Sequence, residues 1–300
     1  ETFNVTSYDA VAFVIITLQT VAGVWINGFI VCVLCVSWVK KKIFNSNEKI
    51  LLVLGCFRTG DLCISWAYVF LATIYPQHFY VPPIPQMFSA TRIFCNSSNL
   101  WVSACLCVFY CIKIANFQHT FFTYLKAKID RIVPWVFLVS VLLSLVMSIL
   151  SYNIIYINNN STTSTNLWKL SVRMEEHLSP TFFSIGFILM TAFMAAIFSA
   201  FLLLFSLWRH KHRMQTNSMR NLSMDAHIKA IKSILSFIFL YSISFIASSL
   251  SLVYAKKMGN LPMLFISVIQ YSLAVVHSLI LIFSNTEMEK TFLRTLLCVK

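Results

Sequence analysis

The chain has 300 residues, 58% hydrophobic and 11% charged, with a mean hydropathy of +0.77 and a formal net charge of +13. Soluble domains carry about 25% charged residues, so this composition excludes a soluble enzyme and indicates an integral membrane protein with no separate soluble domain. The basic residues sit at the ends of apolar runs, as membrane topology requires, and not in a patch that would hold nucleic acid.

Seven apolar runs follow one another, each longer than the 18 or so residues needed to span a bilayer. The first, 10–39, ends on Lys40-Lys41-Lys42. The second, 50–75, carries Arg58 and Asp61 inside it and stops before Pro76. These two residues are three apart, so they share a helix face and are expected to neutralise one another in part. The third, 87–117, has no charge between Arg92 and Lys113. Arg92, Asn96 and Asn99 are spaced i, i+4, i+7 and form a polar stripe on one face. A spanning helix with that stripe at one end and Lys113 and Asn116 at the other suits a connector between a binding cavity and a partner site. The plainer reading is the central helix of a bundle.

The fourth run, 132–157, is followed by a polar, loop-like stretch from Asn158 to Thr165. Its Asn159 and Asn160 begin Asn-x-Ser/Thr acceptor patterns for glycosylation. The fifth, sixth and seventh runs cover 178–208, 227–255 and 261–284. On the seventh, Ser267 and Gln270 are polar on an otherwise apolar helix. They are expected either to face a cavity or to join neighbouring helices. Residues 287–298 carry Met288, Phe292 and Leu296 on one face, which predicts a short amphipathic helix lying on the membrane. The predicted fold is an all-α, seven-transmembrane helix bundle forming one domain over residues 1–300.

Of the 23 Lys and Arg residues, 17 fall on the side that receives Lys40–Lys42 and the carboxyl terminus, and five on the other. The positive-inside rule makes the first side cytoplasmic and the amino terminus extracellular, in a multi-pass protein of the plasma membrane. No basic segment precedes the first apolar run, so no cleavable signal peptide is expected. Eight of the nine cysteines lie in apolar runs, none of the nine falls in the segments assigned outside, and no spacing suggests zinc. No metal or cofactor is expected.

Four segments, in order at the inner ends of the runs, carry a family resemblance. They are Phe109-Tyr110-Cys111-Ile112-Lys113-Ile114-Ala115-Asn116-Phe117, Phe205-Ser206-Leu207-Trp208-Arg209-His210, His227-Ile228-Lys229-Ala230-Ile231-Lys232-Ser233, and His277-Ser278-Leu279-Ile280-Leu281-Ile282 with Asn285. The chain resembles the bitter taste receptors, the type 2 taste receptors among G-protein-coupled receptors, over all seven runs. The resemblance implies bitter small-molecule agonists bound in the outer half of the bundle. It also implies a heterotrimeric G protein of the gustducin or Gi type at the cytoplasmic face, with membrane lipids, cholesterol among them, as neighbours.

The resemblance further implies roles for particular residues. Asn96 falls where many members carry an asparagine implicated in tastant binding, and Tyr241 matches a tyrosine near the base of the pocket, with Phe245 one turn outward. Four residues before Asn96 the family often has tryptophan and this chain has Arg92. That cation either lines the cavity, favouring anionic or acceptor-rich ligands, or snorkels to the outer headgroups. Arg58 matches an arginine that ties the second span to the first, where Asn27 is the matching residue, and to the seventh, while His277 and Ser278 match the inner switch of the seventh span. His277 as an ordinary satisfied bundle histidine is the alternative. Tyr110, Lys113, Arg209, His210, Lys211, His227 and Lys229 would face the G protein. Two features depart from the family: the mid-span proline of the fifth run is missing, and no cysteine is placed to tie the third run to the second outer loop.

The sequence shows no nucleophile–base set, paired carboxylates or phosphate loop, so it is not read as an enzyme. The alternatives are a seven-helix transporter or channel subunit, and a pheromone receptor of the vomeronasal type 1 kind.

Overall fold

The computed structural model describes residues 7–42, 45–79, 81–114, 120–161, 190–202, 204–206, 232, 234–247 and 260–298. Among these residues there is no strand. The helices are α1 (Ser7–Lys41), α2 (Ser46–Ile74), the single turn α3 (Pro76–Phe79), α4 (Ile84–Ile114) and α5 (Thr120–Ser161). They continue with α6 (Met190–Ser206), α7 (Ile234–Ala247), α8 (Asn260–Ser284) and α9 (Thr286–Cys298). Arg209, His210, Lys211, His227 and Lys229 lie outside the described residues.

Five helices, α1, α2, α4, α5 and α8, are long and apolar enough to cross a membrane, and α6 and α7 are shorter apolar helices within the described residues. Apolar side chains such as Leu18, Val36, Trp135, Leu142 and Phe201 stand exposed around the bundle. Such a girdle is tolerated where lipid, not water, is the neighbour, because each helix satisfies its own backbone hydrogen bonds.

Local chemistry explains the helix ends. The Asn45 backbone N–H donates to Glu48 Oε2 at 3.0 Å, which closes the start of α2. α2 stops at Tyr75 because Pro76 disfavours helical backbone in the residue before it. Asn285 Oδ1 accepts from the backbone N–H groups of Glu287 and Met288 at 3.1 and 3.3 Å, so this asparagine separates α8 from α9 and caps the latter.

Two elements differ from the sequence expectation. α5 begins at Thr120 and ends at Ser161, beyond the 132–157 run at both ends. No glycine interrupts it, and its one proline, Pro134, is absorbed into the helix, leaving the Asp130 carbonyl without its usual i+4 donor. In α9, Met288 and Phe292 do not face outward together with Leu296. Both are buried against the bundle, Phe292 between Trp25, Phe29 and Phe283 with ring centroids at 5.9, 5.1 and 6.0 Å. Leu296 is exposed along with Leu293 and Leu297. A short apolar stripe takes protein contact in preference to lipid when aromatic rings stand within reach.

The main core joins α1, α2, α4, α5, α8 and α9 near the end that carries Lys40, Lys41 and Lys113, termed here the basic end. It is built on Ile30, Leu54, Val102, Phe109, Val133 and Ile282. A second cluster packs α4 on α6 and α7 through Cys107, Cys111, Ala196, Ala200, Ile234 and Phe237. α1 and α2 come close at Gly55, where an added Cβ would lie 3.0 Å from Val31 Cγ2 and 3.6 Å from the Asn27 carbonyl oxygen. Gly55→Leu is therefore expected to wedge the two helices apart at a cost of about 1–3 kcal/mol. A thermal-shift assay on detergent-purified protein should show a lowered melting temperature. An unchanged one would mean that the contact is loose.

Candidate functional site

Midway along α2, Arg58 is 2% exposed and fully engaged. Its Nε donates to Asn99 Oδ1 of α4 at 3.1 Å and its Nη1 to Ser278 Oγ of α8 at 2.9 Å, while its Nη2 meets His277 Nδ1. Ser278 Oγ also lies 2.8 Å from Asn27 Oδ1 of α1, and Asn27 Nδ2 donates to the Gly23 carbonyl at 2.8 Å. Guanidinium only donates, so His277 Nδ1 must accept, which leaves the ring's proton on Nε2. The other side of that ring packs on Phe237 of α7 at 4.9 Å, and Phe237 in turn on Tyr241 at 4.7 Å. One buried cation thus joins α1, α2, α4 and α8, and through His277 it reaches α7.

Asp61 is not its counter-ion. Among the described residues no carboxylate lies within ion-pair distance of Arg58, and its charge is met by neutral acceptors. Side chains three apart on a helix share a face, but they diverge when each has a different neighbouring helix to satisfy. The expected mutual neutralisation of Arg58 and Asp61 does not form: Arg58 is satisfied across helices, while Asp61 has no ion pair or hydrogen bond among the described residues.

The polar stripe of α4 divides accordingly. Asn99 is half-buried and its oxygen is committed to Arg58. Asn96 and Arg92 are exposed, about one and two turns further from the basic end. Phe245 stacks on Phe193 of α6 with centroids 6.1 Å apart, and Ser267 and Gln270 are half-buried on α8. On α2, Trp66 Nε1 donates to Thr17 Oγ1 at 3.0 Å and its ring stacks on Phe70.

The sequence profile described as "Taste receptor protein (TAS2R)" matches residues 5–300. Taste receptor type 2 member 9 of Homo sapiens is 30% identical, covering 97% of this chain and 95% of its own length. Member 8 of Gorilla gorilla gorilla is 32% identical, covering 97% of both. Member 9 of Papio hamadryas is 30% identical over 303 residues.

The chain belongs to the type 2 taste receptor family.

It is a multi-pass membrane receptor of the seven-helix, G-protein-coupled class that serves bitter taste, and not an enzyme. The transporter and pheromone-receptor alternatives gain no support from these matches.

At the basic end the receptor has a second polar assembly, much of it missed in the sequence. A cavity of about 590 Å³ opens between α2, α4 and α5, with Asn47, Lys49, Tyr110, Lys113 and Asp130 among its walls. Asp130 Oδ1 accepts from Ser46 Oγ at 2.5 Å, and its Oδ2 lies 3.4 Å from Lys113 Nζ. Tyr110 and Asn47 face one another across the wall of this cavity. The exposed Lys113–Asp130 pair contributes little by itself, but together with Ser46 it fixes how three helix ends sit around the cavity. Asp130 is a lone acid in a run holding Lys126, Lys128 and Arg131, and that isolation was the available signal.

Proposed function

We propose that this receptor binds bitter small-molecule agonists among the helices on the far side of the Arg58 layer from the basic end, with Arg92 and Asn96 as the principal polar contacts. Tyr241, Phe245, Ser267 and Gln270 supply the remaining walls, and Asn99 acts through Arg58 more than through the ligand. The basic end is cytoplasmic, by the Lys and Arg bias, so the amino terminus is extracellular, the carboxyl terminus cytoplasmic and the membrane the plasma membrane. There Tyr110 and Lys113, with Arg209, His210, Lys211, His227 and Lys229 beyond the described residues, engage a heterotrimeric G protein of the gustducin or Gi type. Asn27, Arg58, Asp61, His277 and Ser278 belong to the switching interior, residues 1–300 act as one receptor domain, and Asn159 and Asn160 are glycosylation acceptors. Membrane lipids, cholesterol among them, cover the apolar girdle.

One observation carries this reading. Arg92 and Asn96 are exposed on a central helix, have no hydrogen-bond partner among the described residues, and stand directly beyond a buried layer whose polar groups are mutually satisfied. An agonist that contacts them differently in two bundle states biases the equilibrium, which α4 spans from end to end.

Arg92→Ala removes a charge-assisted hydrogen bond worth about 1.5–3 kcal/mol, so agonist potency is expected to fall about ten-fold or more. Asn96→Ala is expected to cost about three- to ten-fold, as for one neutral hydrogen bond. Calcium responses in cells co-expressing a taste-type G-protein α subunit, normalised to surface display, measure both. Parent-like responses from both variants would place the ligand elsewhere.

A further inference from the structure

Two charged side chains are left over by the polar layer. The Arg58–Asn99 hydrogen bond fixes the register of α2 against α4. Asp61 lies three residues beyond Arg58 and Asn96 three residues beyond Asn99 in the same direction, so the two stand level, about 4.5 Å above the layer. Close approach is maintained there, since a Cβ added to Gly60 would sit 3.7 Å from Cys95 Sγ. Arg92 follows one turn, about 6 Å, further out.

These groups act on one another without closing. Arg92 and Asp61 lie within electrostatic reach of one another, and both lie within reach of Tyr271. Yet no ion pair within 4.0 Å and no hydrogen bond engages Arg92 or Asp61 among the described residues. Asp61 is only half-buried, and Arg92 and Asn96 are exposed. An acid nearest the layer, an amide level with it and a guanidinium one turn further out are left without a hydrogen-bond or ion-pair partner among the described residues.

We infer that Asp61 and Arg92 are the opposite poles of the agonist site and that the receptor accepts zwitterions, taking an ammonium group on Asp61 and a carboxylate on Arg92. The inference rests on the ligand location proposed above. A purely cationic ligand meets repulsion at Arg92 and a purely anionic one at Asp61, whereas a molecule carrying both charges in this order complements each pole. Two linked amino acids extend about 7 Å, comparable to the axial offset of about 6 Å between the levels of Asp61 and Arg92, and the central amide would fall between Asn96 and Arg92.

The test uses the full receptor in cells with the dipeptide Leu-Phe, its carboxyl-terminal amide and its N-acetyl form. The parent is expected to respond to the free dipeptide about ten-fold or more sensitively than to either capped form. Arg92→Gln should abolish the preference over the amide, and Asp61→Asn the preference over the N-acetyl form. Capped forms as potent as the dipeptide would overturn the inference, as would silence to all three when other bitter compounds still activate. If Asp61→Asn fails to reach the surface, the parent's ranking of the three probes and the response of Arg92→Gln decide the matter. Silence to a broad bitter panel would instead sink the underlying ligand-site reading.

Discussion

Arg58→Ala is expected to remove most of the receptor from the cell surface and to abolish signalling by the remainder. Truncation leaves Asn99 Oδ1, Ser278 Oγ and His277 Nδ1 buried and short of their shared donor. Buried acceptors left without a donor cost about 1–3 kcal/mol each, so three of them together change the folded-to-unfolded ratio roughly 100-fold or more. Arg58→Lys keeps the charge but not the planar fork, so it can serve one or two of the three acceptors and should recover only part of the display. Flow cytometry on an amino-terminal epitope, together with a calcium assay, reads both quantities. Parent-level display of Arg58→Ala would show that the layer is dispensable.

His277 separates folding from switching. His277→Phe retains a ring against Phe237 but removes the acceptor facing Arg58 Nη2. An unsatisfied buried donor costs about 1–3 kcal/mol, so display is expected to drop about ten-fold. His277→Asn keeps an acceptor at nearly the position of Nδ1 and loses the ring. It should reach the surface, yet change basal or maximal signalling, because the contact between α7 and the Arg58 layer is gone. Indistinguishable behaviour of the two variants would remove His277 from any link between these helices.

Several functional features were open to reading from the chain. Apolar runs of spanning length, the placement of Lys and Arg and the i, i+4, i+7 stripe on α4 are local properties, so a linear sequence displays them. The resemblance tied Arg58 to Asn27 and to the seventh span, and the structure supplies His277 and Ser278 as the seventh-span contacts. Other features resisted for a definite reason. Asp61 follows Arg58 by three residues and looked like its natural partner, but Arg58 is satisfied by Asn99, 41 residues away, and Ser278, 220 away. Met288 and Phe292 read as a membrane-facing stripe because helical spacing gives a face and not the surface that face meets. Asp130 stands out in the chain as a lone acid among basic residues, but its partners Ser46 and Lys113 come from other helices and only packing shows them.

The sequence by itself determined an all-helical, multi-pass receptor of the type 2 taste family, because hydropathy, charge bias and short motifs are written along one chain. Only the tertiary structure decided how its few interior charges are spent. Arg58 is closed off by neutral groups on three other helices, while Arg92 and Asp61 remain within each other's field and unpaired. The physical reason is that a charge in a low-dielectric bundle takes whichever partners packing brings nearest, and packing joins residues that the chain keeps far apart.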